Sequence, residues 1–366
     1  MEILAIIIVS ILVFQDFLLW IFLIYRFKDY SGILPENLPK VSVFLPCRNE
    51  EQNLQECLNA LGKIKYPREK IQFILGDDRS ADQTGRILED WVKKNTRSEF
   101  VKVIEGDPSK MNGKANALSQ MVKLASGDFY LFTDADCIVP PYWVQGMVAA
   151  SIQEDAGLVT GITSVRGKNL FSRMQSMDWW LTLGMVKVMD DFGSSVTSMG
   201  NNMLITKAAY ESVGGFEGVP FSLTEDFEIA KSIQKKGYKN IHFVSEINLV
   251  HTKGQAGFFE LLNQRKRWMS GAMGLSAFWK VLLALQVLFF PFIIHLCFLH
   301  PLEGFSIWSI KVITQGLFLY SFASKTGVKL KIGDLILFEI YYLIISWSTI
   351  VYYFWPSKTV WKGRRY

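Results

Sequence analysis

Cysteine is scarce in this chain. Only four of its 366 residues are cysteine, Cys47, Cys57, Cys137 and Cys297 at irregular spacing, which makes neither a disulfide framework nor a zinc site. They read as reduced thiols. Histidine is equally rare. His242 and His251 suit core positions, His295 and His300 fall in or beside an apolar run, and no Ser-His-Asp or Cys-His arrangement accompanies them. Charge is thin at 20% of residues, and 39 Lys+Arg against 34 Asp+Glu leave +5, too small an excess to argue for a nucleic-acid partner. No repeat runs through the sequence and half of it is apolar. Collagen, coiled coil and disorder are thereby excluded. The Gly-x-x-x-x-Gly-Lys-Ser/Thr spacing of a P-loop is missing as well.

What is present in excess is apolar residues, and they are unevenly spread. Mean hydropathy is +0.19, high for a soluble chain of this length. From Ile3 to Ile24 only Asp16 interrupts an apolar run, and Arg26 and Lys28 come directly after it. That length suits a helix crossing a hydrocarbon core. A cleaved signal peptide would want basic residues before the run and a small-residue cleavage site after it, and neither is there. The run reads as a retained anchor, and the positive charge behind it places the polar segment beyond Lys28 in the cytoplasm. The chain is therefore expected to be an integral protein of the cell inner membrane. Phe278–Leu299, Phe305–Phe322 and Leu335–Trp355 repeat the signal. If all three cross once, the basic tail Lys358–Tyr366 lands outside, against the charge rule. One run, marked by Pro291 in the first, then reads as re-entrant or interfacial.

Between these ends lies a normally polar segment. Val41–Pro46, Ile71–Leu75, Phe100–Glu105 and Phe129–Thr133 read as strands, and Glu50–Leu61, Thr84–Lys94 and Lys114–Ala125 as helices. Such alternation builds a mostly parallel sheet, with ligands beyond the carboxyl ends of its strands. Two of those ends carry acidic pairs, Asp77-Asp78 and Asp134-Ala-Asp136. Carboxylates at i and i+2 after a strand can share one crevice and would repel unless a cation lies between them. A solvated loop or helix cap is the plainer alternative. Ser80 or Asp82 is a candidate N-cap before Thr84, and Thr224 a candidate N-cap before Phe227.

Lys114, in Asn112-Gly-Lys-Ala-Asn116, opens a helix where a phosphate contact is natural, though an ordinary surface lysine has the same spelling. In Thr224-Glu-Asp226 a carboxylate of the first helical turn could serve as a base. Phe258–Met273 is amphipathic, with Phe258, Leu261, Leu262, Trp268, Met269 and Met273 at helical spacing. It is expected to lie on the membrane surface, its Arg265, Lys266 and Arg267 forming a basic patch toward anionic headgroups and a phosphate. Alternatively it is the basic flank of the next span.

Taken in order, Val41-Ser-Val-Phe-Leu-Pro-Cys-Arg-Asn-Glu-Glu51, Asp77-Asp-Arg-Ser80, Gly113-Lys-Ala-Asn-Ala117, Asp134-Ala-Asp136, Gly200-Asn-Asn202, Thr224-Glu-Asp226 and Gln264-Arg-Lys-Arg-Trp268 resemble a membrane-bound family-2 glycosyltransferase. The nearest branch is the ceramide-glucosyltransferase-like and polysaccharide-synthase-like one. The resemblance implies an α/β fold, a GT-A (Rossmann-like) nucleotide-sugar-binding domain with N- and C-terminal transmembrane helices. It implies an anchor and linker over 1–37, a catalytic domain over 38–257, an interfacial helix over 258–276, a transmembrane region over 277–356 and a basic tail over 357–366.

The same resemblance implies site roles. Pro46, Arg48 and Glu50 line the nucleotide pocket, Asp78 holds the uracil or ribose, and Lys114 contacts the donor. Asp134 and Asp136 hold the sugar diphosphate through Mg²⁺ or Mn²⁺, with Asp136 the direct ligand. Asp226 is the base, Glu225 the next candidate, and Gln264, Arg267 and Trp268 grip the diphosphate and shape the acceptor end. Arg79 stands where many members have glycine, which bears on nucleotide contacts. The implied reaction is inverting transfer from a nucleotide-sugar, a UDP-sugar by this resemblance, to a lipid or lipid-linked acceptor at the cytoplasmic membrane face. A processive exopolysaccharide synthase is the alternative. A transporter or non-catalytic scaffold is remote, because only Asp16, Glu303, Asp334 and Glu339 are acidic in or beside the runs, whereas a transporter places acidic residues within its spans.

Overall fold

The apolar strands and amphipathic helices read above assemble into a mixed sheet followed by a helical bundle. The computed structural model describes residues 2–195 and 197–365. In chain order come α1 (Glu2–Tyr25), β1 (Val41–Cys47), α2 (Leu54–Leu61), β2 (Ile71–Asp77), α3 (Thr84–Lys94), β3 (Ser98–Lys102), α4 (Gly113–Val122) and β4 (Phe129–Thr133). Next are α5 (Trp143–Glu154), β5 (Ala156–Thr160), β6 (Ile162–Arg166), α6 (Leu170–Asp191), β7 (Asn202–Thr206), α7 (Lys207–Ser212), α8 (Glu225–Lys235), β8 (Lys239–His242) and β9 (Leu249–Lys253). The last are α9 (Phe258–Ala272), α10 (Ala277–Leu299), α11 (Pro301–Ser324), α12 (Ile332–Phe354) and the short pair β10 (Val360–Trp361) and β11 (Arg364–Arg365). Tyr366, the end of the expected basic tail, lies outside the described residues. The chain divides into two compact units, Asp29–Ser164 with Gly193–Lys253, and Met1–Lys28 with Val165–Phe192 and Gly254–Tyr366.

The first unit is built on a sheet of order β3-β2-β1-β4-β7-β5-β8. β1 runs parallel to β2 and β4, β2 parallel to β3, and β5 parallel to β8, while β7 enters antiparallel between β4 and β5. Both faces are covered, and the strands sort their residues by parity. Val43, Leu45, Leu131 and Leu204 join one core with Leu54, Leu58, Trp143 and Met147. Phe44, Tyr130, Phe132, Met203 and Ile205 join the other, with Leu118, Met121, Phe216, Ile229 and Ile233. Phe44 stacks on Phe132 at 5.0 Å and meets Tyr130 edge-on at 5.5 Å, so truncating Phe44 to alanine should cost about 3–5 kcal/mol. Burial on both faces explains why these strands read as near-continuous apolar runs.

The second unit is helical. Three of its helices are long and apolar enough to cross a membrane, Glu2–Tyr25, Ala277–Leu299 and Ile332–Phe354. α1 packs Ala5, Val9 and Leu12 against Phe289, Phe290, Ile293 and Leu296 of α10 and turns Ile3, Ile7, Ile11 and Phe14 outward, the reverse of a water-facing helix. Pro291 does not break its run; α10 continues through it. The run that falls short is the middle one. α11 carries Glu303 and Lys311 and buries Lys311, Thr314 and Gln315 along with its aromatic residues. Lys311 Nζ donates to Gln315 Oε1 at 2.8 Å and to Glu339 Oε2 at 3.1 Å, and Trp308 Nε1 donates to Glu339 Oε1 at 3.0 Å. Glu339 is thus spent on joining α11 to α12.

Candidate active site

Two loops leave the sheet side by side because β1 and β2 end level, with Pro46 opposite Gly76 and Cys47 opposite Asp77. Side chains from each loop satisfy the backbone of the other. Asn49 N–H donates to Ser80 Oγ at 3.0 Å, Glu50 N–H to Thr84 Oγ1 at 2.8 Å, and Ala81 N–H to Asn49 Oδ1 at 2.8 Å. Asn49 and Arg79 both sit at positive φ, 51° and 57°. The loops bring Arg48 to Asp78, whose carbonyl oxygen accepts from Arg48 Nη1 at 2.8 Å. Asp78 is buried, and Glu50 is buried with its Oε2 accepting from Asn53 Nδ2 at 2.8 Å. The expected caps of α3 are displaced. The N-cap position is Gln83 and makes no side-chain cap bond, but Asp82 Oδ1 accepts from Thr84 N–H at 3.0 Å.

The lysine site is more tightly made than its spelling suggested. Asn112 caps α4 by accepting from Ala115 N–H at 2.9 Å, and its amide donates to Glu225 Oε2 at 2.9 Å and to the Ser222 carbonyl at 2.8 Å. Lys114, one residue into the helix, places Nζ 2.5 Å from Asp134 Oδ1 and 3.5 Å from Glu225 Oε1. Burial alone would lower its proton affinity, but the carboxylates of Asp134, Glu225 and Asp226 outweigh it and hold the ammonium above the ordinary lysine range. It is a fixed positive charge. Asn112 is the residue sequence reasoning missed; asparagine directly before a helix start was the signal for it.

Asp226 lies beside this cluster. Its Oδ2 accepts from Gly200 N–H at 2.7 Å and its Oδ1 from Phe227 N–H at 2.9 Å. The approach is close: a Cβ at Gly200 would stand 3.1 Å from Asp226 Cβ and 3.4 Å from Lys114 Nζ. Thr224 occupies the N-cap position of α8, but its hydroxyl does not cap and instead pairs with Ser222 Oγ at 3.2 Å. The adjacent carboxylates are therefore different. Glu225 is buried and bound to Asn112 and Lys114, whereas Asp226 is half-buried.

Asp134 and Asp136 leave the end of β4 on either side of buried Ala135, in a turn closed by Cys137 N–H donating to the Asp134 carbonyl at 3.0 Å. Cys57 Sγ lies 3.6 Å from that carbonyl, and Cys137 Sγ 3.4 Å from Asp136 Oδ1. Burial first, then the charges of Asp136 and Asp134, push both thiols up, so they remain protonated beneath the turn. All four cysteines are free. Among the described residues no group of three or more His, Cys, Asp and Glu could hold a metal ion. Two half-exposed carboxylates on a rigid turn do fit Mg²⁺ or Mn²⁺, which take few protein oxygens and complete their shell with water and phosphate.

Gln264, Arg267 and Trp268 belong to the helical unit, half-buried on α9. Trp268 meets Trp179 of α6 edge-on at 5.4 Å. The expected basic patch is corrected here. Arg265 turns inward to an ion pair with buried Asp178 and lies over the Trp268 ring. Lys266 is buried, donating to the Trp355 and Ser357 carbonyls at 2.9 and 2.8 Å and to Ser357 Oγ at 2.9 Å. It satisfies backbone acceptors that the end of α12 leaves open. Of the three basic residues, these two are committed inside the unit.

Comparison with known proteins agrees with this layout. A sequence model described as Glycosyl transferase family 21 matches residues 3–366. The chain is 28% identical over 246 residues to a probable glycosyltransferase, YdaM, of Bacillus subtilis, covering 60% of this chain and 56% of that one. It is 28% identical over 221 residues to a poly-beta-1,6-N-acetyl-D-glucosamine synthase of Staphylococcus aureus, covering 59% and 50%. The chain thus spans about half the length of these curated relatives. A solved mannosyltransferase from Pyrobaculum calidifontis, in complex with GDP-Man and Mn²⁺, superposes with a TM-score of 0.59 at 16% identity, over 97% of this chain and 99% of that one. That likeness is one of fold. The motif-bearing sheet is a GT-A domain, the expected glycosyltransferase resemblance stands, and with nearly every residue matched by the family model the chain belongs to glycosyl transferase family 21.

Proposed function

We propose that this chain is an inverting hexosyltransferase that moves a sugar from a nucleotide-sugar, a UDP-sugar, to a lipid or lipid-linked acceptor at the cytoplasmic face of the cell inner membrane. The observation that carries this reading is the lysine site. Lys114 Nζ lies against Asp134 and Glu225, with Asp226 across Gly200, at the carboxyl end of β4 where ligands of such sheets bind. A fixed cation beside a half-buried carboxylate supplies the two things inverting transfer requires of the protein. The carboxylate of Asp226 takes the proton from the acceptor hydroxyl, whose oxygen attacks the anomeric carbon from the face opposite the diphosphate. The bond from that carbon to the diphosphate oxygen breaks, and Lys114 meets the charge that collects there.

The remaining roles divide among the loops and α9. Pro46, Arg48, Glu50 and Asp78 line the nucleotide pocket. Asp134 and Asp136 hold Mg²⁺ or Mn²⁺, which when bound supplies positive charge against the diphosphate. Glu225 positions Asn112 and Lys114 and is not the base. Gln264, Arg267 and Trp268 serve the diphosphate and the acceptor end. Three long apolar helices with outward apolar side chains support an acceptor drawn from the bilayer.

The relative named as a poly-beta-1,6-N-acetyl-D-glucosamine synthase favours a second reading, processive exopolysaccharide synthesis. Product length separates the two. Detergent-purified protein is incubated with a panel of nucleotide-sugars and lipid extract, and products are followed by mass spectrometry. Single transfer gives one sugar per lipid at every time point, even with donor in large excess. A ladder growing with time, or polymer free of lipid, would replace the lipid reading with the processive one.

A further inference from the structure

The helical unit carries a cluster of cations that sugar transfer leaves unused, and it lies where α1 ends. Arg26-Phe27-Lys28 follows α1, and Lys325-Thr-Gly-Val-Lys-Leu-Lys331 follows α11, so the two segments hold five cations and no acid. The helix ends are level. Trp20 Nε1 donates to Ser321 Oγ at 3.1 Å, and Lys325 Nζ stands 4.5 Å from the centre of the Phe27 ring. Tyr25, in the last turn of α1, is 79% exposed, and tyrosine is enriched at membrane–water interfaces.

Helix dipoles and the charge rule account for basic residues at such an end, but neither requires them to be held in place. Here they are held. Phe27 is gripped by two ammonium groups, Lys325 and Lys187, the second with Nζ 4.9 Å from the ring centre. Fully buried Lys187 also donates to the Lys28 carbonyl at 2.8 Å, and Lys28 N–H donates to Asp191 Oδ2 at 3.2 Å. Arg26 lies over Phe192 at 5.8 Å, and Phe22 meets that ring edge-on at 4.9 Å. A cation above a ring uses the π face and keeps its N–H groups. Among the described residues, the side chains of Arg26, Lys28 and Lys325 make no hydrogen bond or ion pair, and all three are exposed. The acids bordering these segments are engaged elsewhere: Asp191 with Lys187, Asp29 with Ser31 and Asp334 with Arg173.

We propose that Arg26, Lys28 and Lys325 bind the phosphate headgroup of an anionic membrane phospholipid where α1 and α11 end. The inference rests on α1 lying in a bilayer and is independent of the sugar-transfer reading. Phosphodiester oxygens only accept and these side chains only donate, so the match is one of hydrogen bonding as well as charge. A zwitterionic headgroup offers the same phosphate but brings its own ammonium, which the cluster repels. Just inside this end α1 turns Phe17 and Ile24 outward, an apolar face that suits acyl chains.

Native mass spectrometry of the full-length protein in detergent tests this, with phosphatidylglycerol and phosphatidylcholine of identical acyl chains titrated separately. Each cation beside an anionic headgroup is worth about fivefold. Wild type should therefore hold phosphatidylglycerol at least about 25-fold more tightly than phosphatidylcholine. Arg26→Gln with Lys325→Gln should weaken phosphatidylglycerol by about 25-fold and leave phosphatidylcholine within about twofold. Lys28→Gln keeps the backbone bonds of Lys28 and touches no ring. It should weaken phosphatidylglycerol by about fivefold, and it carries the test if the double variant does not fold. Lys93→Gln with Lys94→Gln removes the same charge from α3 and should move neither lipid by more than about twofold. An excess of ammonium phosphate should leave the lipid bound. Equal binding of the two lipids by wild type, an unchanged preference in Lys28→Gln or in the folded double variant, an equal loss in the α3 variant, or displacement by free phosphate would each overturn the proposal. A protein that retains neither lipid would overturn the membrane reading with it.

Discussion

The neighbouring carboxylates Glu225 and Asp226 should separate when each is made an amide. In Glu225→Gln the new NH₂ has no good place to point. Oε2 accepts from Asn112 Nδ2 at 2.9 Å and Oε1 faces Lys114 Nζ at 3.5 Å, so either orientation of the amide sets donor against donor. Leaving one buried donor unsatisfied costs about 1–3 kcal/mol, and a unit of this size loses roughly 2–4 °C of melting temperature per kcal/mol. A fall of roughly 2–12 °C is expected, with KM for the donor raised because Lys114 loses one of its anchors, and kcat reduced far less. Asp226→Asn meets a similar conflict with the Gly200 or Phe227 N–H. Its site is only half-buried, so the stability loss should be about 1 kcal/mol. Its turnover should nevertheless drop by at least about 10², and donor binding should stay near wild type. Single-turnover product formation beside thermal melts distinguishes them. Glu225→Gln losing turnover a hundredfold at unchanged melting temperature, with Asp226→Asn near wild type, would reverse the assignment and refute the reasoning.

Four further outcomes are expected from the same geometry. Lys114→Met should raise KM for the donor by about tenfold or more and lower the melting temperature, because Glu225 is left buried beside the gap; a donor KM within twofold of wild type would remove Lys114 from the site. Asp136→Ala, or excess EDTA on wild type, should abolish transfer with the fold intact by circular dichroism, and persistent activity in either would dismiss the metal assignment. Lys266→Met strips three acceptors at the end of α12 of their donor and should cost about 2–3 kcal/mol without altering nucleotide affinity by titration. At Asp82, burial alone would raise the carboxyl, but hydrogen bonds from Thr84 and the Glu51 backbone hold it below the usual range. A lowered folded value means stability present above the unfolded value of about 3.9 and lost as pH falls through the folded one. Acid titration of Asp82→Asn should therefore show a shallower loss below about pH 4, and a slope equal to wild type would deny Asp82 that part.

Legibility in the sequence tracked how each element is buried. β1, β2 and β4 are covered on both faces and spell themselves as apolar runs; Thr84–Lys94 was readable because it keeps one wet face. The helix read from Glu50 begins only at Leu54, because Glu50 and Asn53 are spent on the loop that meets Thr84. The strand read from Phe100 is Ser98–Lys102, since its extent is set by where β2 offers partners. α6 hid for another reason. It buries Gln175, Asp178, Lys187, Asp190 and Asp191 among its apolar residues, and a helix whose polar groups are paired inside loses its periodic signature. Lys187, for instance, is fully buried between Asp191 Oδ1 and the Lys28 carbonyl, each at 2.8 Å. Charge by itself is silent on pairing, and so Arg265 and Lys266 read as a surface patch while both are used within the unit.

The candidate site was half visible, and the hidden half depends on one strand direction. Acidic pairs at the ends of β2 and β4 could be found from strand–helix order alone, since parallel strands deliver their carboxyl ends to one edge. Nothing local says that Asn112 meets Glu225, 113 positions later. The link is made by β7. It pairs antiparallel to β4 with Asn202 opposite Thr133, so it begins where β4 ends. An antiparallel neighbour brings its amino end to the edge at which parallel strands present their carboxyl ends. The segment entering β7, Gly200-Asn201, is therefore delivered beside Asp134, where Thr133 Oγ1 donates to the Asn201 carbonyl at 3.1 Å and Gly200 N–H reaches Asp226. Were β7 parallel to β4, its start would lie at the opposite edge, and Asp226 would lose the backbone donor that fixes it against Lys114. The reversed strand is thus what sets Asp226 and Lys114 beside the acidic strand ends, and its pairing is a long-range choice that no window of sequence contains.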